Sequence, residues 1–414
     1  MARTVAELPK GSRITDYIGF GVLTSTFPLD KVERILSETG KKSIRERELP
    51  AHVMMYYVMA LALFMQSSYR EVLRCLLEGV QWLRGEEVNL KITGKSGISQ
   101  ARTRLGVEPL RQLHDEMVKP IATEVTRGAW YRLWRLVSID GSCMDVADES
   151  VNAEEFGRPA SKRGISGFPQ MRYVSLVENG THVLFGTQMG SYKTSERKLA
   201  SQVVQHLKPG MLCMADRGFF GYDLWNSSHS TGADLLWRVK RNLDLPMLER
   251  LSDGSFLSMI FKSAKDRRHG VGEKVRVIEY RLVGVEDAEP LYRLMTTILD
   301  PLEAPAQELA ALYHDRWEIE TAFDELKTHL RGAKVVLRSK TPDLCRQEFY
   351  GLLMAHFAIR GLMHEAALSE DIDTDQLSFV HSVRVVRRKL PFFRAFSPSA
   401  VNEVSSGHVE RNPG

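Results

Sequence analysis

The sequence predicts a mixed α/β protein with an all-α N-terminal domain and a β-rich insertion that interrupts the core. Three observations predict this. Apolar residues recur at helical spacing from about Ile14 to Met117, short apolar runs of strand length begin at Leu133, and long helical runs return at Ala304. The 414 residues amount to two to four folded units at roughly 100–200 residues each. With 43% hydrophobic and 26% charged residues, the composition excludes wholesale disorder, collagen and a long coiled coil.

The helical region contains AHVMMYYVMALALFMQSSYREVLRCLLEGVQWL and, after a break with Gly and Ser, ISQARTRLGVEPLRQLHDEM, which places an N-terminal domain at residues 1–125. Its apolar run from Val53 to Met65 is shorter than the roughly 20 residues of a membrane span and reads as a buried helix. LWRLVSID is then a strand ending in Asp140. MRYVSLV and THVLFGTQM are two more, joined by Glu178-Asn179-Gly180, where Asn-Gly supplies the positive φ of a tight hairpin. TSERKLASQVVQHL reads as a helix, MLCMA as a strand running directly into Asp216, and DLLWRVK as a fifth strand. The order β-β-β-α-β-α-β implies a mixed sheet covered by helices, the first part of a core at 126–240.

Residues 241–300 hold short β-like runs, VRVIEYRLV and LYRLMTTIL, between polar loops and form the insertion. The core resumes at 301–360, with one long helix from Ala304 to about Leu330 and then FYGLLMAHFAIRGLMHEAAL, a buried one. A helical C-terminal region at 361–414 ends in the polar tail SPSAVNEVSSGHVERNPG, expected to fray.

A net charge of +4 identifies no partner, so any basic surface must be local. Cys75, Cys143, Cys213 and Cys345 lack paired spacing, which suggests neither a zinc site nor a disulfide framework and fits a reducing cytoplasm. The first residues lack the apolar core and cleavage site of a secretory signal.

The chemistry concentrates in ALYHDRWEIETAFDELKTHLRG. At roughly 100° per residue, Tyr313, Arg316, Glu320 and Lys327 fall near 0°, 300°, 340° and 320° on one helical face. Glu318 and Glu325 point elsewhere, and Asp324 remains a possible second carboxylate. A carboxylate flanked by Tyr, Arg and Lys suits a phosphodiester: the acid holds a divalent ion, Arg forks onto phosphate oxygens and Lys adds a point charge. The alternative is a solvated face of i, i+4 ion pairs.

The spacing of Tyr313, Arg316, Glu320 and Lys327 resembles the Y-R-E-K signature of DDE transposases of bacterial insertion sequences, specifically the insertion-element-four family. The helical N-terminal region, VSIDGS and MADRGFFGYDLW resemble that family's N-terminal domain and its two aspartate motifs. The resemblance implies a ribonuclease-H-like catalytic core with a β insertion before the glutamate helix. It makes Asp140, Asp216 and Glu320 the catalytic, metal-holding acids, with two Mg²⁺ ions for which Mn²⁺ substitutes. Alone, Asp140 would read as a turn residue and Asp216 as a helix N-cap. Asp145 and Asp148 rank below Asp140, because they lie beyond the apolar strand. Phe219, Phe220 and Tyr222 fit packing of a helix onto the sheet.

By the same resemblance Tyr313, Arg316 and Lys327 contact DNA near the cleaved phosphate, with Arg217 a further candidate. Within the insertion, Lys262, Lys265, Arg267, Arg268, Lys274, Arg276 and Arg281 oppose only Asp266, Glu273 and Glu279, a window that tracks a DNA backbone or merely rims a hairpin. Trp237 either stacks an extruded base or packs within a strand. Arg384, Arg387, Arg388 and Lys389 form a third basic cluster, for DNA or for helix solubility.

The reading is a cut-and-paste transposase acting on double-stranded DNA at terminal inverted repeats and target sites. The family implies a homodimeric synaptic complex, a hairpin intermediate, no membrane association and a bacterial cytoplasmic, nucleoid-associated location. Two rivals are a metal-dependent nuclease without strand transfer and an inactive, domesticated DNA-binding protein.

Overall fold

The computed structural model describes residues 20–43, 49–74, 76, 94–161, 164–282, 289–332 and 335–389. The helical pattern at 14–19 and 77–83 and the polar tail lie outside these residues, as do the side chains of Arg388 and Lys389.

After the short β1 (Trp130–Tyr131), strand β2 (Trp134–Asp145) forms the axis of the core. Its residues Leu136 to Ile139 are buried in succession, as expected of a strand covered on both faces. A small separate hairpin, β3 (Ala160–Ser161) and β4 (Gly164–Ile165), precedes β5 (Gln170–Glu178) and β6 (Val183–Ser191). The helix Glu196–Val203, capped by Ser195, leads to β7 (Met211–Ala215), and the helix Tyr222–His229 leads to β8 (Asp234–Arg238). The strands lie in the order β6-β5-β2-β7-β8, with β5 and β6 antiparallel and β2, β7 and β8 parallel. This is the ribonuclease-H-like arrangement.

The predicted hairpin is present with a different turn. Asn179–Thr181 form a 3₁₀ turn, and the positive φ falls on His182, at 55°.

The insertion contributes β9 (Glu249–Arg250), β10 (Phe256–Ile260), β11 (Glu273–Tyr280) and β12 (Tyr292–Thr296). It is not a separate sheet. β12 pairs antiparallel with β8, Met295 opposite Trp237, so the insertion extends the core into a ten-stranded sheet. Arg276 fastens it: fully buried, it pairs with Asp253 and donates to the Ala304 carbonyl at 2.7 Å.

The single long helix expected from Ala304 to Leu330 changes its winding three times. An α-helix at Ala306–Leu312 tightens to 3₁₀ at Tyr313–Trp317, returns to α at Glu318–Asp324 and widens to π at Glu325–Leu330. The uniform 100° step therefore fails here, for a useful reason: residues three apart eclipse in a 3₁₀ turn. The Arg316 guanidinium accordingly lies 5.8 Å from the Tyr313 ring centre.

Among the N-terminal helices, Ala51–Leu63 is buried on every side from Val53 onward. It packs against Pro342–Ser369, a helix that runs unbroken through residue 360, where the sequence suggested a boundary. The contact is backbone-close: a β-carbon on Gly351 would lie 2.4 Å from the Val58 carbonyl oxygen. No helix among the described residues is long and apolar enough to cross a membrane.

Candidate active site

Strand β7 ends at Ala215, whose parallel partner is Ile139 on β2. Asp140 on β2 and Asp216 just past the end of β7 are the next residues, which makes the two acids neighbours at the mouth of the parallel pair. The strand expected to end in Asp140 continues to Asp145, because β5 stays paired with it beyond the end of β7. Burial pushes the Asp140 carboxyl up to about 6. The Gly141 N–H and Arg316 pull it back, while Asp216 and Glu196 push it further up. Asp216 is held by the Gly218 N–H, which donates to Oδ1 at 2.7 Å.

The winding segment docks on this strand pair at three points. Tyr313 donates from its hydroxyl to the Ala215 carbonyl at 3.2 Å, Arg316 Nη1 donates to Asp140 Oδ2 at 3.3 Å, and Lys327 Nζ donates to Ser142 Oγ at 2.9 Å. Glu320 lies between Arg316 and Lys327, exposed, with no hydrogen bond or ion pair among the described residues. The structure thus brings Asp140 and Asp216 together and puts Glu320 on the element bonded beside them. The three acids do not close into one group with all ligand atoms within 4.8 Å of one another.

These acids offer only carboxylate oxygens, the donor set of hard divalent cations. The ionised form of Asp140 is opposed by its acidic neighbours in a half-buried position, a conflict that a dication relieves. The residues therefore fit a divalent metal ion.

Glu196 is a neighbour the sequence did not reveal. It opens the helix Glu196–Val203 and lies so close to the strand that a β-carbon on Gly141 would meet its Cγ at 2.8 Å. Its only sequence signal was a helix start after Ser195; its nearness to Asp140 is a tertiary fact.

Several candidate DNA contacts take other positions. Trp237 is fully buried and meets Trp225 edge-on at 5.3 Å, so its ring faces core and not a base. Tyr313 is buried, with its hydroxyl spent on β7. Arg276 is internal, and Arg387 donates to the Leu63 carbonyl at 2.7 Å, a structural role. Asp145 accepts from Gln170 at 2.7 Å, Asp148 pairs with Arg158, and exposed Asp324 pairs with His329 at 3.1 Å. Phe219 is buried and Phe220 packs edge-on against Trp225.

Lys262, Arg267 and Arg268 are exposed, the first two paired with Asp223 and Asp244. Arg217 is exposed beside Asp216 and pairs with Glu289 at 2.8 Å. It lines an open cleft of about 670 Å³ with Arg238, Lys240, Arg241 and Arg293, cations from β8, its following loop and β12 that were not singled out in the sequence.

Residues 17–115 match the family model described as insertion element 4 transposase N-terminal, and residues 134–358 match the transposase DDE domain, a family that uses divalent metal ions. The chain is 27% identical over 381 residues to transposase InsG for insertion sequence element IS4 of Escherichia coli (strain K12), covering 90% of this chain and 83% of that protein. It is 22% identical over 226 residues to InsZ, a transposase by name from the same organism, covering 54% of this chain and 72% of that one. Both family regions occur in chain order over the fold and strand ends described above, and the chain belongs to the DDE transposases of the insertion-element-4 family.

Proposed function

We propose that Asp140, Asp216 and Glu320 hold the metal ions of a cut-and-paste transposase, and that Tyr313, Arg316 and Lys327 fix the geometry around the cleaved phosphate. One observation carries this reading: the two aspartates adjoin on parallel strands, while Arg316 and Lys327, on either side of Glu320, bond to the Asp140 strand.

Two Mg²⁺ ions, replaceable by Mn²⁺, suit the all-oxygen site, and when bound they supply Lewis-acid activation and charge neutralisation for phosphodiester hydrolysis and strand transfer. The chain's own residues do the positioning. Tyr313 holds the end of β7, and so the backbone that presents Asp216. Arg316 pairs with Asp140, favouring its ionised form against the burial that raises it, and places a guanidinium charge beside the acids. Lys327, anchored on Ser142, places a second positive charge on the same side. No protein nucleophile is required, because the attacking oxygen is that of water and then of the freed 3′-hydroxyl.

The DNA is the element's terminal inverted repeats and its target. The helical domain at 1–125 binds the ends, and the cleft with Arg217, together with Lys262, Arg267 and Arg268, tracks backbone phosphates. The working form is a homodimer in the bacterial cytoplasm at the nucleoid, passing through a hairpin on the element end.

The test is an excision assay with the native flanking repeats around a marker. Wild type excises and reinserts it; Asp140→Asn, Asp216→Asn and Glu320→Gln bind the ends yet fail to cut. Cleavage at the wild-type rate by Glu320→Gln removes Glu320 from the mechanism. Nicking without insertion points to a nuclease, and end binding by a wild type that never cuts points to a binder.

A further inference from the structure

Elsewhere on the winding segment, Glu318 and Glu325 converge on His182. His182 occupies the β5–β6 turn with positive φ and is only 2% exposed. Its Nδ1 faces Glu325 Oε1 at 3.3 Å. Its Nε2 is buried without a hydrogen-bond partner and points toward Asp375 Oδ1, 3.4 Å away. His182, Glu318 and Asp375 each place one ligand atom within 4.8 Å of the others.

Glu318, Glu325 and Asp375 bring three carboxylates, and Arg360 is the guanidinium among them, 3.2 Å from Glu325 and 3.5 Å from Asp375. His356 reaches Glu325 at 3.1 Å from the far side. Glu325 is thus bonded to Arg360 and to two imidazoles, whereas the His182 Nε2 that faces Asp375 makes no hydrogen bond. A divalent cation bound there would give that nitrogen a partner.

We propose that His182, Glu318 and Asp375 form a second divalent-cation site, of the zinc class and separate from the catalytic aspartates, with Glu325 orienting His182 through Nδ1. One imidazole nitrogen and two carboxylate oxygens favour zinc over magnesium, which prefers oxygen alone. A carboxylate on the other ring nitrogen is the usual outer support of a metal-bound histidine. Asp375, 41% exposed at its side chain, leaves a way in and room for a water as fourth ligand. The site ties together three pieces distant in sequence: the β5–β6 turn, the segment two residues before Glu320, and the 3₁₀ turn Thr374–Gln376 beyond the long helix. It is a clamp on the element that carries the catalytic glutamate.

The test uses the full-length chain carrying Asp140→Asn and Asp216→Asn, so that the catalytic aspartates do not contribute. Zinc is titrated against a chromogenic chelator, and melting is followed with zinc and with the same concentration of magnesium. The expected result is one tightly held zinc per chain and a rise in melting temperature that magnesium does not reproduce. Adding His182→Gln or Asp375→Asn weakens zinc binding by on the order of 10–100-fold and abolishes the rise. Asp375 is exposed, so its variant decides the matter should His182→Gln fold poorly. No zinc uptake by the starting protein, or uptake undiminished by Asp375→Asn, overturns the site and leaves an ion-pair hub centred on Glu325.

Discussion

Arg316 Nη1 lies 3.3 Å from Asp140 Oδ2, joining the winding segment to the central strand through a pair in which the arginine is buried. Glu320 follows one turn later, so this contact sets where the third acid stands relative to the first. A guanidinium can serve Asp140 with one nitrogen and a phosphate with another, which an ammonium cannot do in the same plane.

Replacing Arg316 with alanine therefore removes both a positioning contact and a donor to developing charge. Cleavage by Arg316→Ala should fall by on the order of 10²–10³, and Arg316→Lys should recover only part of it. Single-turnover cleavage of an end duplex measures this, and a wild-type rate for the alanine variant would dismiss the role.

Asp140 makes stability depend on pH in an unusual direction. Its proton leaves near pH 3.8 in the unfolded chain and near 6 in the folded one. Between those values the folded chain keeps a proton that the unfolded chain has released, so stability falls as pH rises through the interval. The penalty is complete above it, at most about 3 kcal/mol. In chelating buffer Asp140→Asn should melt above wild type at pH 8 and level with it at pH 4. Equal melting at pH 8 would show that the carboxylate is not penalised.

Gly351 offers a test of the joint between the N-terminal helices and the core. Helix propensity alone predicts that Gly351→Ala stabilises by about 1 kcal/mol. The new β-carbon would lie 2.4 Å from the Val58 carbonyl oxygen, on backbone that cannot swing aside. Overpacking of typically 1–3 kcal/mol should win, giving a net loss of about 1–2 kcal/mol in urea unfolding. A stabilised variant would mean that the two helices are more loosely packed.

Trp237 separates packing from DNA contact. Its ring is fully buried against Trp225, so Trp237→Phe should bind and cleave end DNA at near the wild-type rate, and Trp237→Ala should lose about 3–5 kcal/mol of stability. A selective loss of DNA processing in a stably folded Trp237→Phe would restore the base-stacking role.

Much of the core was legible because its signals are local. Strand-length apolar runs place β2, β5, β6, β7 and β8, and the Y-R-E-K spacing picks out the segment that docks on Asp140. The turn at His182 misled, because Asn-Gly chemistry describes an isolated hairpin, whereas this turn is buried under the helix carrying Arg360, which donates to the Thr181 carbonyl at 2.6 Å. Basic windows misled as well, since a run of Lys and Arg does not tell which member turns inward, as Arg276 and Arg387 do.

By itself the sequence determined most of the element types, their order and the position of Asp216 just past the end of β7, since periodicity and turn chemistry depend on residues near one another along the chain. Only the tertiary structure decided that Asp140 and Asp216 adjoin, that the glutamate segment tightens and then widens, that Glu196 presses on Gly141, and that β12 joins β8 to make one sheet of core and insertion. Those depend on register between strands and on charges paired across long stretches of chain, and a buried charge or backbone group takes whichever partner the packed fold brings within reach.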